Sequence, residues 1–427
     1  MIATAERARI AVSAAFIANG LGMASWISRI PAVRDALSLT PAQLGLLLLC
    51  LSGGAVTALP LSGPVVHRFG PARAVVGGVV LYVIGLVVLA AGVALGLPLP
   101  AGAGLLLVGM GTSTWDVAIN VEGADVERRL ARPLMPRLHA GFSIGTVAGA
   151  LLGAGAAAIG VPPAAQFLGT AALLLASMLV VVRSFLPLPA REGGERRASG
   201  VLRAWREPRT LLIGVLVLAF AFTEGTANDW LTVAFVDGYR SSDTVGALGY
   251  GVFVAAMTAA RVVGSAAVAR YGRVAALRGS AVLAGVGLVL VMLHVGLPLA
   301  MAGALLWGAG AALGFPVGMS AGADDPEHAA VNVSVVSSLG YTAFLAGPPL
   351  IGFLAGHVGI LPSLVVVVAA LLLGLLVAGA SRPPVPAVSH TAESSGRTES
   401  RPRRGHLHRD QPRRKQPDRG LTPPSTP

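Results

Sequence analysis

Charge is what this chain of 427 residues lacks: Asp, Glu, Lys and Arg make up 12% of it, against about 25% in a soluble domain. The few charges gather in short loops, leaving the apolar runs Leu44–Val66, Ala74–Leu97, Leu105–Val121, Leu211–Val236, Val274–Val295 and Leu361–Ala380. A membrane span needs about 20 such residues, and soluble helices would need polar faces that these runs do not have. Lysine is reduced to Lys415 against 31 Arg, which reads as the codon bias of a GC-rich genome. Cysteine is reduced to Cys50, inside an apolar run, which excludes a disulfide framework. There is no G-x-x-x-x-G-K-[ST] phosphate loop and no H-E-x-x-H pair, so neither ATP nor a metal is expected to drive the chemistry. No cofactor and no enzymatic activity are expected. The net charge of +12 is no nucleic-acid signature. The last 47 residues hold ten Lys/Arg and four Asp/Glu, supplying +6, and the remainder sits in loops.

What is present is an all-α membrane protein. The runs divide into twelve spans, about 8–30, 43–66, 74–97, 101–122, 138–160, 164–184, 210–236, 246–268, 275–297, 299–320, 329–355 and 360–380. The opening "MIATAERARIAVSAAF" has no small-residue cleavage site and reads as the first span. The chain divides into a six-helix half (1–186), a charged linker (187–209), a second six-helix half (210–380) and a Pro-, Arg- and Ser-rich tail (381–427). That tail has too few large apolar residues to build a core, so it is expected to be disordered. Arginines crowd the loops at 67–73, 123–137, 185–209 and 270–278, while the alternate loops hold Arg29, Arg34 and Arg240. The positive-inside rule then predicts that both termini lie in the cytoplasm, with the chain in the inner membrane.

The halves repeat. "LLVGMGTSTWDVAINVEGAD" (106–125) aligns with "LLWGAGAALGFPVGMSAGAD" (305–324) at an offset of 199. "GPVVHRFGPAR" (63–73) aligns with "SAAVARYGRVA" (265–275) at 202, and "NGLGMASW" (19–26) with "TEGTANDW" (223–230) at 204. Nearly one offset in three places predicts two parallel six-helix repeats about an axis along the membrane normal.

Two six-helix halves with these motifs resemble the major facilitator superfamily over residues 1–380. The loop after the second span is similar to that family's Gly-x-x-x-Asp-Arg-x-Gly-Arg pattern through Gly63, Arg68, Gly70 and Arg73, with His67 at the family's Asp. The second copy keeps Arg270, Gly272 and Arg273, with Ala269 at that Asp. "WDVAINVEGADVERR", "HAGFSIG", "EGTANDW", "MTAARVVG" and "YTAFLAGPPLIGFLAG" resemble the bacterial branch near fucose-type sugar permeases. The resemblance implies alternating access, with spans one, four, seven and ten around a central cavity.

Candidate site residues follow from polar groups in apolar helices. Asp116 lies roughly 10–15 Å inside the span's polar end at 1.5 Å per residue, and Glu224 is the matching case in the seventh span. An ionised carboxylate at such depth costs about 2.5–3.5 kcal/mol or more. Both are therefore candidates to carry a coupling proton, against the plainer reading of a hydrogen bond between helices. Asp229, nearer the other end of the seventh span, can simply be solvated. Asn19, Trp26, Trp115, Asn120, Asn228, Trp230 and Trp307 are candidates to line the cavity, with a structural or interfacial role as the alternative. Glu122, Asp125 and Glu127 end the fourth span, where anions oppose the helix dipole. They are expected in a salt-bridge cluster that opens with the gate, with Arg129 at i+4 from Asp125 and Arg68 and Arg73 on the same side. Arg261, Arg270 and Arg273 are the cationic candidates of the second half. Arg261 either neutralises a carboxylate, binds an anionic solute or snorkels. His139 is expected to be interfacial. Gly347, Pro348 and Pro349 are expected to break or bend the eleventh span.

The sequence thus predicts a monomeric secondary transporter that moves a small polar solute, a sugar among the options, across the bilayer with protons as the coupling ion. The alternatives are a proton-driven exporter of drugs or metabolites and a transporter-like solute sensor.

Overall fold

The computed structural model describes residues 2–132, 134–186, 201–325 and 328–383. Among them are helices and turns and no strand. The expectations for the linker and the tail fall outside the described residues, apart from 201–209 and 381–383.

The first half consists of α1 (Ile2–Ile27), α2 (Pro41–Phe69), α3 (Pro71–Leu95), α4 (Pro98–Leu130), α5 (Met135–Ala158) and α6 (Pro163–Val181). A short helix, Ile30–Ala36, joins α1 to α2. In the second half, α7 (Pro208–Val233) continues as a π-helical turn, Ala234–Gly238. The next helix, Asp243–Met292, is broken at Gly272 (φ 79°, ψ 163°) into α8 before the glycine and α9 after it. Then come α10 (Leu297–Gly322), α11 (Ala329–Val358) and α12 (Ile360–Ser381). Eleven continuous helices are long and apolar enough to cross a membrane, and the break at Gly272 makes them twelve spans.

Local chemistry sets the boundaries. Proline stands in the first turn of α2, α3, α4, α6 and α7, where its missing N–H would have no partner anyway. Thr40 and Gln43 close a capping box at the start of α2. Gly70 turns the chain from α2 into α3 at φ 80°, ψ 159°, and Gly272 turns α8 into α9 at nearly the same angles. Both lie in the left-handed half of φ, where a side chain would be strained, so the two copies of the loop motif share a backbone reason for their glycine.

Two differences from the expected spans have physical causes. α4 runs past 122 to Leu130 because Asp125 pairs with Arg128 at i+3 and Arg129 at i+4. α11 passes through Pro348 and Pro349 as one continuous helix, so of the expected break or bend the break does not occur, and both prolines lie against Gly45 of α2.

The packing repeats as the sequence does. α1 lies along α5 and α7 along α11; α4 packs on α2 and α3 as α10 packs on α8 and α9. A Cβ at Gly109 would strike the Leu51 carbonyl of α2, and one at Gly308 would strike the Phe253 carbonyl of α8. The same register in both halves lets these backbones touch, as small residues do between membrane helices. Across the halves, α2 meets α11 and α5 meets α8.

Candidate functional site

The three carboxylates at the end of α4 have separate tasks. Glu122 is fully buried and accepts the Leu186 N–H at 2.7 Å, where α6 gives way to the linker. Asp125 accepts from Arg128 at 2.7 Å and Arg129 at 3.1 Å. Glu127 accepts the N–H groups of Leu134 (2.5 Å) and Met135 (2.7 Å), which the start of α5 would otherwise leave open. In the second half Asp324, aligned with Asp125, accepts from Arg273 of α9 at 2.7 Å and from Arg209 of α7 at 2.7 Å. Arg68 lies over the Phe69 ring at 5.6 Å and Arg270 over Tyr271 at 5.4 Å. Arg73 makes no ion pair among the described residues. The structure therefore brings Asp125 to Arg129 and Arg273 to Asp324, and leaves Arg68, Arg73 and Arg270 apart from the acids expected to hold them.

Midway through the bundle the two halves differ. Arg261 of α8 donates from Nη2 to both oxygens of Glu224 on α7, each at 3.1 Å, and from Nε to the Ala312 carbonyl at 3.4 Å. Arg261 thus neutralises a carboxylate, one of the three readings open to it. Beside this pair the Tyr250 hydroxyl donates to Asn228 Oδ1 at 3.2 Å. Asp116 of α4 has no hydrogen bond from its carboxylate among the described residues; Asn120 donates to its backbone carbonyl at 2.9 Å. Asp116 interacts electrostatically with His139 of α5 and, across the halves, with Tyr341 of α11. His139 itself is exposed, bonds the Met135 carbonyl at 3.0 Å and packs on Phe16.

Four of the five tryptophans, Trp26, Trp115, Trp230 and Trp307, are buried with unpartnered indole N–H groups, while Trp205 is exposed. Trp115 packs edge-on against Tyr82 of α3, and Trp307 against Phe253 of α8; Trp26 meets Phe167 of α6. These three pack within their own halves. Asn19 is also buried, with neither end of its carboxamide bonded.

The end opposite the Arg-rich loops is clamped across the halves. Arg34 pairs with Asp237 of the second half as well as with its neighbour Asp35. Burial opposes the charge on Arg34, yet these two carboxylates hold its pKa above the ordinary arginine value. Arg29 is buried and donates to the Val161 carbonyl (2.8 Å) and Gln166 Oε1 (3.1 Å); burial pulls its pKa down, with Asp243 of the second half opposing. Backbone meets backbone here: a Cβ on Gly45 would lie 2.6 Å from the Pro348 carbonyl oxygen, and one on Gly352 2.5 Å from that of Pro41. A cavity of about 360 Å³ opens between Arg34, Leu44, Trp230, Asp237 and Leu361. At the Arg-rich end the ion pairs Asp125–Arg128, Asp125–Arg129, Glu6–Arg132, Asp324–Arg209 and Asp324–Arg273 each stay within one half. Sequence reasoning missed the clamp. Arg34 was visible only as a loop charge, and nothing local pairs it with a residue two hundred positions away.

Comparison with known proteins gives the following. The family model described as Major Facilitator Superfamily matches residues 12–341. An uncharacterized transporter, y4wD, of Sinorhizobium fredii is 34% identical over 346 residues, covering 81% of this chain and 90% of that protein. The membrane protein MosC of Rhizobium meliloti is 30% identical over 375 residues, covering 87% and 88%. Among solved structures, a bacterial homologue of the lysosomal transporter Spinster, inward-facing and unoccupied, superposes with a TM-score of 0.71 at 13% identity, covering 89% of this chain and 97% of that one. The transporter FucP in its outward conformation gives 0.60 at 13% identity, covering 88% and 98%.

Proposed function

Because the chain belongs to the major facilitator superfamily, we propose that it is a secondary active transporter carrying a small polar solute across the inner membrane by alternating access, with protons as the coupling ion. The observation that supports this most is the arrangement between the halves. Carboxylates, a guanidinium and carboxamides stand mid-bundle, on α4 from one side and on α7 and α8 from the other, while the halves are clamped at one end. With the Arg-rich loops and both termini in the cytoplasm, the clamp lies on the outer face and the solute path opens inward. Asp116 and Glu224 are the mid-bundle carboxylates available to carry the proton, with Asp229 a third further along α7, and Asn120, Asn228 and Arg261 offer hydrogen bonds to a polyhydroxylated solute. The protein works as a monomer in this reading.

Counterflow in proteoliposomes tests it. Vesicles preloaded with unlabelled sugars, nucleosides, sugar acids, amino acids or drugs should exchange one of these classes for its labelled form. An imposed pH gradient should then drive accumulation of the same solute. A protein that binds a solute with no counterflow is a sensor, and one that accumulates only against an inward proton flow is an exporter.

A further inference from the structure

Arg261 gives Glu224 its counter-charge, and that leaves Asp229, later on the same helix, without one. Asp229 makes no hydrogen bond and no ion pair among the described residues. Its surroundings on α7 offer little. Thr226 and Thr232, three residues before and after it, are buried, and their own hydroxyls are unpartnered. Asn228 accepts from Tyr250 through its side-chain oxygen and gives Asp229 no hydrogen bond. The elements packed on α7 carry, toward its Asp229 end, the titratable and charged groups Tyr250, Asp243 and Arg261 of α8, Arg34 and Asp35 of the short helix, Tyr341 and His357 of α11, and Arg29 after α1. Of these, Tyr250 is the one that interacts electrostatically with Asp229. The arginines are engaged elsewhere: Arg261 with Glu224, Arg34 with Asp35 and Asp237, Arg29 with Val161 and Gln166. Arg240, just after the helix, is exposed.

An ionised carboxylate with no partner inside a membrane costs about 2.5–3.5 kcal/mol or more. Glu224 escapes that cost through Arg261. Asp229 and, in the first half, Asp116 have no arginine; both are half-buried, and among the described residues Asp116 is faced only by His139 of α5 and Tyr341 of α11, so each calls for a partner that comes and goes. We propose that Asp229, together with Asp116, takes up and gives up the coupling proton, and that Glu224 is a positioning residue whose pair with Arg261 ties α7 to α8. The step forms an O–H bond on a carboxylate oxygen with a proton from water on one face and breaks it to water on the other. No bond in the solute changes. This rests on the reading of the chain as a proton-coupled transporter.

Infrared difference spectroscopy of the full chain in liposomes, switched between acidic and alkaline buffer, tests it without any solute. The probe is the C=O stretch of a protonated carboxyl group. The expected band shifts when the protein is made with aspartate isotopically labelled at its side-chain carboxyl carbon. It loses intensity in Asp229→Asn and again in Asp116→Asn, and it keeps its intensity in Glu224→Gln and in the double variant Glu224→Gln/Arg261→Gln. Asp229→Glu should restore the lost part, now sensitive to labelled glutamate, which separates titration from a folding role. A bundle band that follows labelled glutamate and vanishes in Glu224→Gln would overturn the assignment and leave the proton-coupled reading standing. An aspartate band indifferent to Asp229→Asn also overturns it. A spectrum in which none of the three substitutions changes any band removes the proton coupling itself.

Discussion

The two halves share a backbone and differ in their charges. Gly70 and Gly272 turn at the same angles, and Gly109 and Gly308 admit the same neighbour. Yet the aligned acids do different things. Among the described residues Asp125 pairs along its own helix, with Arg128 and Arg129, whereas Asp324 gathers Arg273 and Arg209 from the starts of two other helices. Asp116 and Glu224, which the repeat does not align, differ too: Asp116 has no ion pair among the described residues and feels His139, while Glu224 has Arg261. The repeat therefore carries the scaffold, through small residues and apolar register, and each half places its own charges. At the Arg-rich end the second half is tied, among the described residues, through one acid, Asp324, whereas the first spreads its ties over Glu6, Glu122 and Glu127.

The largest expected effect comes from breaking the tie at Asp324. Asp324→Asn removes the charge that holds three helices together, where each charged hydrogen bond is worth about 1.5–3 kcal/mol. Thermal unfolding in detergent should show a clear drop in Tm. Unchanged stability would mean that the second half is not held by this acid.

Next comes the clamp, where the two cross-half interfaces can be set against each other. Gly352→Val puts a branched side chain against Pro41 and Gly45, while Gly251→Val places its Cβ 3.6 Å from Ala150 across the α5–α8 contact, ordinary van der Waals distance. Overpacking costs about 1–3 kcal/mol, a shift of about 5- to 150-fold in a two-state equilibrium. A cysteine replacing Leu44, which lines the cavity at the clamped end, should label faster by that order in Gly352→Val and far less in Gly251→Val. Equal rates in both would dissolve the distinction. Arg34→Gln should open the same end more weakly, by about 0.2–1 kcal/mol for a partly exposed pair, seen with the same label.

Asp125→Asn sharpens the comparison from the small side. Its partners Arg128 and Arg129 are 55% and 40% exposed, and helix pairs of this kind are worth about 0.3–0.5 kcal/mol. A Tm loss equal to that of Asp324→Asn would show that the halves are tied alike.

Much of the fold was legible because membrane spans are written in composition, and the repeat in three glycine-bearing segments. The twelve spans, the division into halves and the membership of the major facilitator superfamily all rest on such local signals. What was not legible was partnership. Asp116, Glu224 and Asp229 look alike as lone acids in apolar helices, and only the fold tells them apart by bringing Arg261 of α8 to one of them. The tryptophans looked like cavity residues because of the spans they occupy, but a helix shows its face only once packed, and Trp115 and Trp307 turn toward Tyr82 and Phe253. Gly45 and Gly352 carried no sequence signal distinct from the other glycines, since their role comes from a contact between halves.

The central claim is that the halves rock about a mid-bundle site, closed at one end when open at the other. Spin labels on the exposed positions Ser38 and Arg240 report the clamped end, and labels on Arg128 and Tyr271 the Arg-rich end. Electron–electron resonance on both pairs, with and without Gly352→Val, measures the two distances in the same protein. The account predicts opposite movements: the Ser38–Arg240 distance lengthens as the Arg128–Tyr271 distance shortens. Two distances that stay fixed, or that lengthen together, would contradict it.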